Sequence, residues 1–152
     1  MELLEVIAPQ LVFLDCPEAD KESLLGRIAG EFSRHTGMDA PEELYKKILE
    51  REAVMSTGIG GGVALPHAKH DKLTRIHLAF ARCNAPIEFK ALDGRPVDLV
   101  FLLAGPASES AQHVRLLGKL ARLLKKADFV GSLRDLKNAD DLPALIRMHE
   151  RA

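Results

Sequence analysis

The chain has 152 residues, 47% of them apolar and 28% charged, with a formal net charge of −1. That describes an ordinary globular chain, one domain (residues 1–152) able to bury a sizeable core, with no electrostatic sign of nucleic-acid or membrane binding. Cys16 and Cys83 stand apart without CxxC spacing, which excludes a zinc or redox pair of that kind and reads as free thiols, buried or half-buried, in a reducing compartment.

The first residues lack the basic, apolar and small-residue succession of a secretory signal, so the cytoplasm is the expected address. Residues 1–8 predict a short helix that stops before Pro9. The apolar run 11–15, bounded by Pro9 and Pro17, predicts a strand. Asp20 caps a helix whose Leu24, Leu25, Ile28 and Phe32 follow the 3.6-residue period, with Gly37 as its stop. A second helix has Pro41 near its first position, Glu42 and Glu43 in its first turn and Leu44, Ile48 and Leu49 turned inward. Arg51 falls in its last turn.

Residues 56–67 (STGIGGGVALPH) carry no charge and open on a glycine-dense loop. Glycine permits positive φ and close backbone approach, and Pro66 fixes the geometry just before His67. The imidazole is expected at the end of a strand-like run, beside free backbone N–H groups. Beyond it the chain turns polar through Lys69, His70, Asp71 and Lys72. A strand is expected over 76–83, with Ile76, Leu78 and Phe80 on one face, then turns over 85–89 and 92–96. Residues 97–103 form the most hydrophobic strand, expected at the centre of a sheet covered on both faces and ended by Gly105 and Pro106. The run 99–105 is far short of the roughly 20 residues that span a bilayer.

Ser108 is the expected cap of the strongest helix, 109–126. Its apolar face carries Leu116, Leu117, Leu120, Leu123 and Leu124. Arg115, Lys119, Arg122 and Lys126 form a basic stripe, read as a solvated face or a landing site for an acidic partner. Shorter helices follow at 129–136 and 141–149. The order predicts an α/β fold: a single three-layer sandwich with a mixed β-sheet flanked by helices on both faces.

The glycine stretch fails the nucleotide patterns. Val63 stands where GxGxxG needs its last glycine, no Gly-Lys-Ser/Thr closes a Walker loop, and no kinase partner motifs accompany it. No cofactor is expected. A lone histidine is commonly a hydrogen-bonded structural residue, but a neutral imidazole is also a nucleophile. In the chemical reading, His67 attacks a phosphoryl group. The N–H groups of Gly58 and Gly60 and the hydroxyls of Ser56 and Thr57 then form a nest for the phosphate oxygens. No nearby carboxylate is placed to activate water, which suits a stable phosphohistidine. His113 continues the apolar stripe of the strong helix toward its N-terminus, at the rim where open α/β sheets bind ligands. It reads either as a cover for the core's edge or as a donor to a phosphoryl group on His67. His67 and His70 have HxxH spacing without a third ligand, so no metal is expected. His35, His77 and His149 read as ordinary surface or strand histidines.

Arg51-Glu52, Ser56-Thr57-Gly58-Ile59-Gly60, Val63-Ala64-Leu65-Pro66-His67, Pro86-Ile87 and Pro96-Val97-Asp98-Leu99-Val100 together resemble a known family. It is the enzyme IIA domain of the bacterial phosphotransferase system, fructose/mannitol type, and the likeness is greatest to its nitrogen-regulatory branch. The resemblance covers nearly the whole chain, and Arg51 and His113 stand at the family's spacings from His67. It implies a mixed sheet between helices, and a phosphoryl group taken by His67 on Nε2 from a small histidine phosphocarrier protein of the HPr or NPr kind. His113 would hydrogen-bond the phosphoryl oxygens, and Arg51 would anchor the loop or neutralise phosphate charge. Transport members pass the group to a IIB domain, often fused. No IIB or membrane segment is seen here, so the expectation is a transferase-type phosphocarrier with a stand-alone, phosphorylation-dependent regulatory role. The alternatives are a sugar-specific transport component and a phosphate-independent protein-binding module.

Overall fold

The computed structural model describes residues 1–150. The N-terminal helix is shorter than expected: α1 (Leu3–Val6) gives way directly to β1 (Ile7–Cys16), which runs through Pro9. β1 lies at the edge of the sheet, bonded to one neighbour only, so the missing proline N–H costs no ladder bond. Helix α2 (Lys21–Thr36) begins and ends where its chemistry predicts. The Asp20 carboxylate accepts from the Ser23 N–H at 2.8 Å, and Gly37 closes the helix at a φ of 77°. Helix α3 (Pro41–Val54) follows, with Leu44 and Ile48 in the core and Leu49 packed against it. Its last turn buries a carboxylate, Glu52.

The glycine-dense stretch is not one loop. It is divided among β2 (Gly58–Gly60), β3 (Val63–Ala64) and β4 (His67–Lys69). β5 (His77–Ile87) and β6 (Val97–Gly105) form the antiparallel centre of the sheet. β1 runs parallel to β5, while β3 and β4 lie one after the other along the far side of β6, both parallel to it. β2 turns back antiparallel on β3, completing a mixed sheet. The turn expected over 85–89 is in part strand: β5 continues to Ile87 across a register irregularity between Arg82 and Ile87 that contains Pro86.

Helices cover both faces, as expected. Phe80, Leu78, Phe101 and Leu103 point into one layer, filled from α4 (Ser110–Leu123), α5 (Ala127–Asp135) and α6 (Leu142–Glu150) by Leu116, Leu120, Phe129 and Ile146. The alternate residues Ala79, Ala81, Val100 and Ala104 face α2 and α3, where their small size makes room for Phe32, Ile28 and Leu44. Truncating a ring such as Phe101 inside these layers costs about 3–5 kcal/mol.

Ser108 is not the cap of α4. A 3₁₀ turn over Ala107–Glu109 precedes that helix, its first N–H held by Asp71 Oδ1 at 3.0 Å, and the Ser110 hydroxyl donates back to the Ala107 carbonyl at 2.6 Å. The basic stripe is partly tied down: Lys119 pairs with Glu2 at 3.0 Å and Lys126 donates to the His149 carbonyl at 2.6 Å. His149 is buried against the Phe129 ring, not on the surface. Cys16 and Cys83 are free, buried and opposite each other on β1 and β5, and burial pushes the Cys83 thiol up to about 12. No described helix is long and apolar enough to cross a membrane.

Candidate functional site

His67 opens β4 opposite Leu103 of β6. The backbone before it is fixed from both sides: the Leu65 N–H donates to the Thr57 carbonyl at 2.9 Å, and the Leu103 N–H donates to the Pro66 carbonyl at 3.1 Å. The ring is held by two partners that leave one tautomer. Nδ1 lies 3.0 Å from the Leu65 carbonyl, which only accepts, so Nδ1 carries the hydrogen. Arg51 Nε, which only donates, lies 3.2 Å from Nε2, so Nε2 presents its lone pair. Burial holds the pKa below the ordinary 6.5; the Leu65 bond opposes this and the Arg51 charge adds to it. Near pH 7 the ring is neutral and nucleophilic at Nε2.

His113, in the first turn of α4, is 2% exposed and lies edge-on to His67, ring centroids 5.6 Å apart. Neither of its ring nitrogens has a hydrogen-bond partner among the described residues. Burial lowers its pKa to about 4, with the charges of His67 and Lys69 acting in the same direction. It is therefore a neutral ring with an uncommitted N–H beside His67, suited to an acceptor placed between the two. Arg51, from the last turn of α3, also donates through Nη1 to the Met55 carbonyl at 2.8 Å. That bond anchors the guanidinium at the end of its own helix while Nε reaches His67.

The remaining expected phosphate ligands divide. Thr57 is adjacent through its backbone bond to Leu65, and its buried Oγ1 has no partner among the described residues. The Ser56 hydroxyl is engaged elsewhere, donating to the Phe89 carbonyl and accepting from the Gly58 N–H at 3.1 Å. Gly58 has a packing reason to be glycine, since a Cβ there would meet Ala91 Cβ at 2.7 Å. Gly60 lies away from His67. With Gly61 and Gly62, at φ of 98°, 66° and 82°, it forms the tip of the β2–β3 hairpin. Val63 pairs with Leu99 and His67 with Leu103, four residues apart on β6, or roughly 13 Å at strand spacing. At the tip the Gly61 N–H donates to Asp93 Oδ2 at 3.0 Å, and Arg134, bonded twice to Asp98, donates to the Gly61 carbonyl at 3.0 Å. These glycines make a tight turn that other side chains brace, and the expected nest around His67 does not include them.

His70 shares no site with His67. Its Nε2 donates to Glu43 Oε1 at 3.1 Å and its Nδ1 accepts from the Lys72 N–H at 3.1 Å. That is the opposite tautomer to His67. Among the described residues no group of three His, Cys, Asp or Glu is placed to hold a metal ion. Glu52 enters the sequence reading only as part of the Arg51-Glu52 motif, with no role assigned to it. Its carboxylate pairs with Lys21 at 3.0 Å and accepts the Thr57 N–H at 3.2–3.3 Å. A charged residue next to Arg51 in a last helical turn reads as solvated; only the packing of α2 against α3 buries it.

Residues 5–148 match the family described as phosphoenolpyruvate-dependent sugar phosphotransferase system, EIIA 2. The chain is 34% identical over 148 residues to a nitrogen regulatory protein of Bradyrhizobium diazoefficiens, covering 97% of this chain and 96% of that one. A nitrogen regulatory protein of Pseudomonas aeruginosa is 30% identical over 146 residues, covering 96% and 95%. Among solved structures, nitrogen regulatory protein IIA-Ntr of Neisseria meningitidis superposes with a TM-score of 0.88 at 29% identity, covering 94% of this chain and 97% of that one.

Proposed function

The chain belongs to the EIIA 2 family of the phosphoenolpyruvate-dependent sugar phosphotransferase system, and we propose that His67 is its phosphoryl acceptor, charged on Nε2 by the phosphohistidine of a small histidine phosphocarrier protein. The observation that carries this is the hydrogen-free Nε2 of a ring whose Nδ1–H is already committed, with the Arg51 donor on its lone pair and His113 alongside.

The Nε2 lone pair attacks phosphorus as the donor's N–P bond breaks, and that bond's electron pair returns to the donor imidazole. The proton on Nδ1 stays on its bond to Leu65, so no proton has to move. Charge spreads over the three phosphoryl oxygens. Arg51 turns from Nε2 to an oxygen while its Nη1 remains on Met55, and His113 donates its N–H to another. The Thr57 hydroxyl is the third candidate donor, and Ser56, Gly58 and Gly60 serve the loop's shape. Neither histidine ring bonds a carboxylate among the described residues, so no side chain is poised to activate water, which favours a phosphohistidine that persists until a protein acceptor arrives.

Residues 1–152 then act as one EIIA unit, and the phosphorylated and unphosphorylated forms regulate other proteins. The names of the Bradyrhizobium and Pseudomonas relatives support a nitrogen-related role over sugar transport. The experiment is to incubate the chain with phosphoenolpyruvate, enzyme I and the histidine carrier and weigh it intact. One acid-labile phosphate is expected. Rapid drainage of that phosphate to a purified IIB domain would instead assign the chain to sugar uptake, and partner binding indifferent to phosphate would make it a simple binding module.

A further inference from the structure

We infer that Glu52, paired with Lys21, is a positioning residue that holds His67 in its reactive tautomer from two backbone links away. The inference rests on the assignment of His67 as the phosphoryl acceptor.

Glu52 sits in the last turn of α3 with its side chain 4% exposed, and Lys21, at the start of α2, is its cation. Lys21 is itself fixed, its ammonium 4.9 Å from the centroid of the Phe89 ring. A carboxylate so far out of water needs every lone pair used. Oε1 takes Lys21 at 3.0 Å, and both oxygens take the Thr57 N–H, at 3.3 and 3.2 Å. This fixes the segment leaving α3.

The same residue passes the constraint on. The Thr57 carbonyl accepts the Leu65 N–H at 2.9 Å, and the Leu65 carbonyl accepts Nδ1–H of His67 at 3.0 Å. That last bond, with the Arg51 donor on Nε2, decides which ring nitrogen keeps its lone pair. The clamp is thus coupled to the chemistry through Thr57 and Leu65, without Glu52 touching the imidazole. It also explains why an Arg and a Glu stand side by side here. Arg51 projects to the ring, and Glu52 projects to Lys21 and the Thr57 N–H, where it fixes the residue bonded to the ring's other partner, Leu65. Freed from the clamp, the 56–65 segment shifts, the Leu65 carbonyl loses its aim, and the ring keeps only Arg51 against the tautomer with hydrogen on Nε2, whose population blocks attack.

The test reads the ring nitrogens of His67 by ¹⁵N NMR near neutral pH, beside the rate of phosphoryl transfer. The unmodified protein is expected to show Nδ1–H only. Glu52→Ala is expected to populate both tautomers and to slow transfer about tenfold to a hundredfold. Glu52→Gln keeps the shape and one acceptor, so it remains folded and loses rate in the same direction by less. Folded variants that keep the single Nδ1–H form and the full rate would overturn the inference. The native protein offers a second check: the Thr57 and Leu65 amides are expected to show matched protection from hydrogen exchange, and rapid exchange at Thr57 alone would overturn it. If the unmodified chain takes no phosphate on His67, the phosphocarrier reading fails. If it does and the Glu52 variants behave as wild type, only the clamp fails.

Discussion

Arg51 Nε donates to Nε2 of His67 across 3.2 Å, joining the end of a helix to the first residue of a strand. The bond marks the one imidazole nitrogen that lacks a hydrogen. The guanidinium, always charged and supplied with several N–H groups, is already at the place where a phosphoryl group would add negative charge.

Arg51→Gln removes that charge and is expected to lower the rate of phosphoryl acceptance on the order of a hundredfold, the cost of one well-aimed donor. Arg51 is half-buried and bonded to Met55, outside the core, so stability should change by no more than about 1 kcal/mol. Stopped-flow or quenched transfer assays with a urea titration separate the two effects.

On the proposed mechanism His113 trades stability for function. It is buried with both ring nitrogens unpartnered, an arrangement that costs free energy in a core. His113→Leu is expected to stabilise the fold by about 1 kcal/mol at pH 7 while slowing transfer on the order of a hundredfold. Loss of several kcal/mol on that substitution would mark the ring as a packing element instead.

The same residue sets a pH dependence. Its folded pKa of about 4 lies below the ordinary 6.5, so between those values the unfolded chain binds more protons than the folded one. Its titration takes nothing from stability above about pH 6.5, and as pH falls toward 4 protonation of the unfolded chain's ring removes roughly 3 kcal/mol. Comparing unfolding free energies of the native chain and His113→Leu at both ends of that window cancels the carboxylates, which titrate in both. Transfer itself should hold its rate further into acid than an ordinary imidazole allows, because burial holds the His67 pKa below 6.5.

The glycine tip supplies a contrasting case. Gly62 has a φ of 82°, and a Cβ on it would meet Arg134 Nη2 at 2.7 Å and Asp98 Oδ1 at 2.8 Å. Gly62→Ala should destabilise the protein by about 1–3 kcal/mol and leave the transfer rate of the folded fraction essentially unchanged. A phosphate nest at the tip would require the reverse.

Much of this was legible in the chain because local chemistry and tertiary structure agree. Asp20 and Gly37 bound α2 where their capping chemistry places them, and the alternation of Leu78 and Phe80 with Ala79 and Ala81 matches the two layers of core. The misreadings come from properties that sequence does not carry. Pro9 and Pro86 look like strand breakers until one is seen at a sheet edge and the other at an irregularity. Gly60 stands seven positions before His67, but β3 carries the chain along β6 between them, so nearness in sequence became distance in space. Glu52 stood in the sequence only as a motif residue, and its buried pairing with Lys21 depends on α2 closing over α3.

The most direct measurement is to phosphorylate the uniformly ¹⁵N-labelled chain through phosphoenolpyruvate, enzyme I and the histidine carrier and to identify the phosphorylated nitrogen by NMR. The predicted result is a single phosphoryl group on Nε2 of His67, with Nδ1 still protonated, and no uptake by His67→Ala. Phosphate on Nδ1 or on any other residue, or undiminished uptake by His67→Ala, would contradict it.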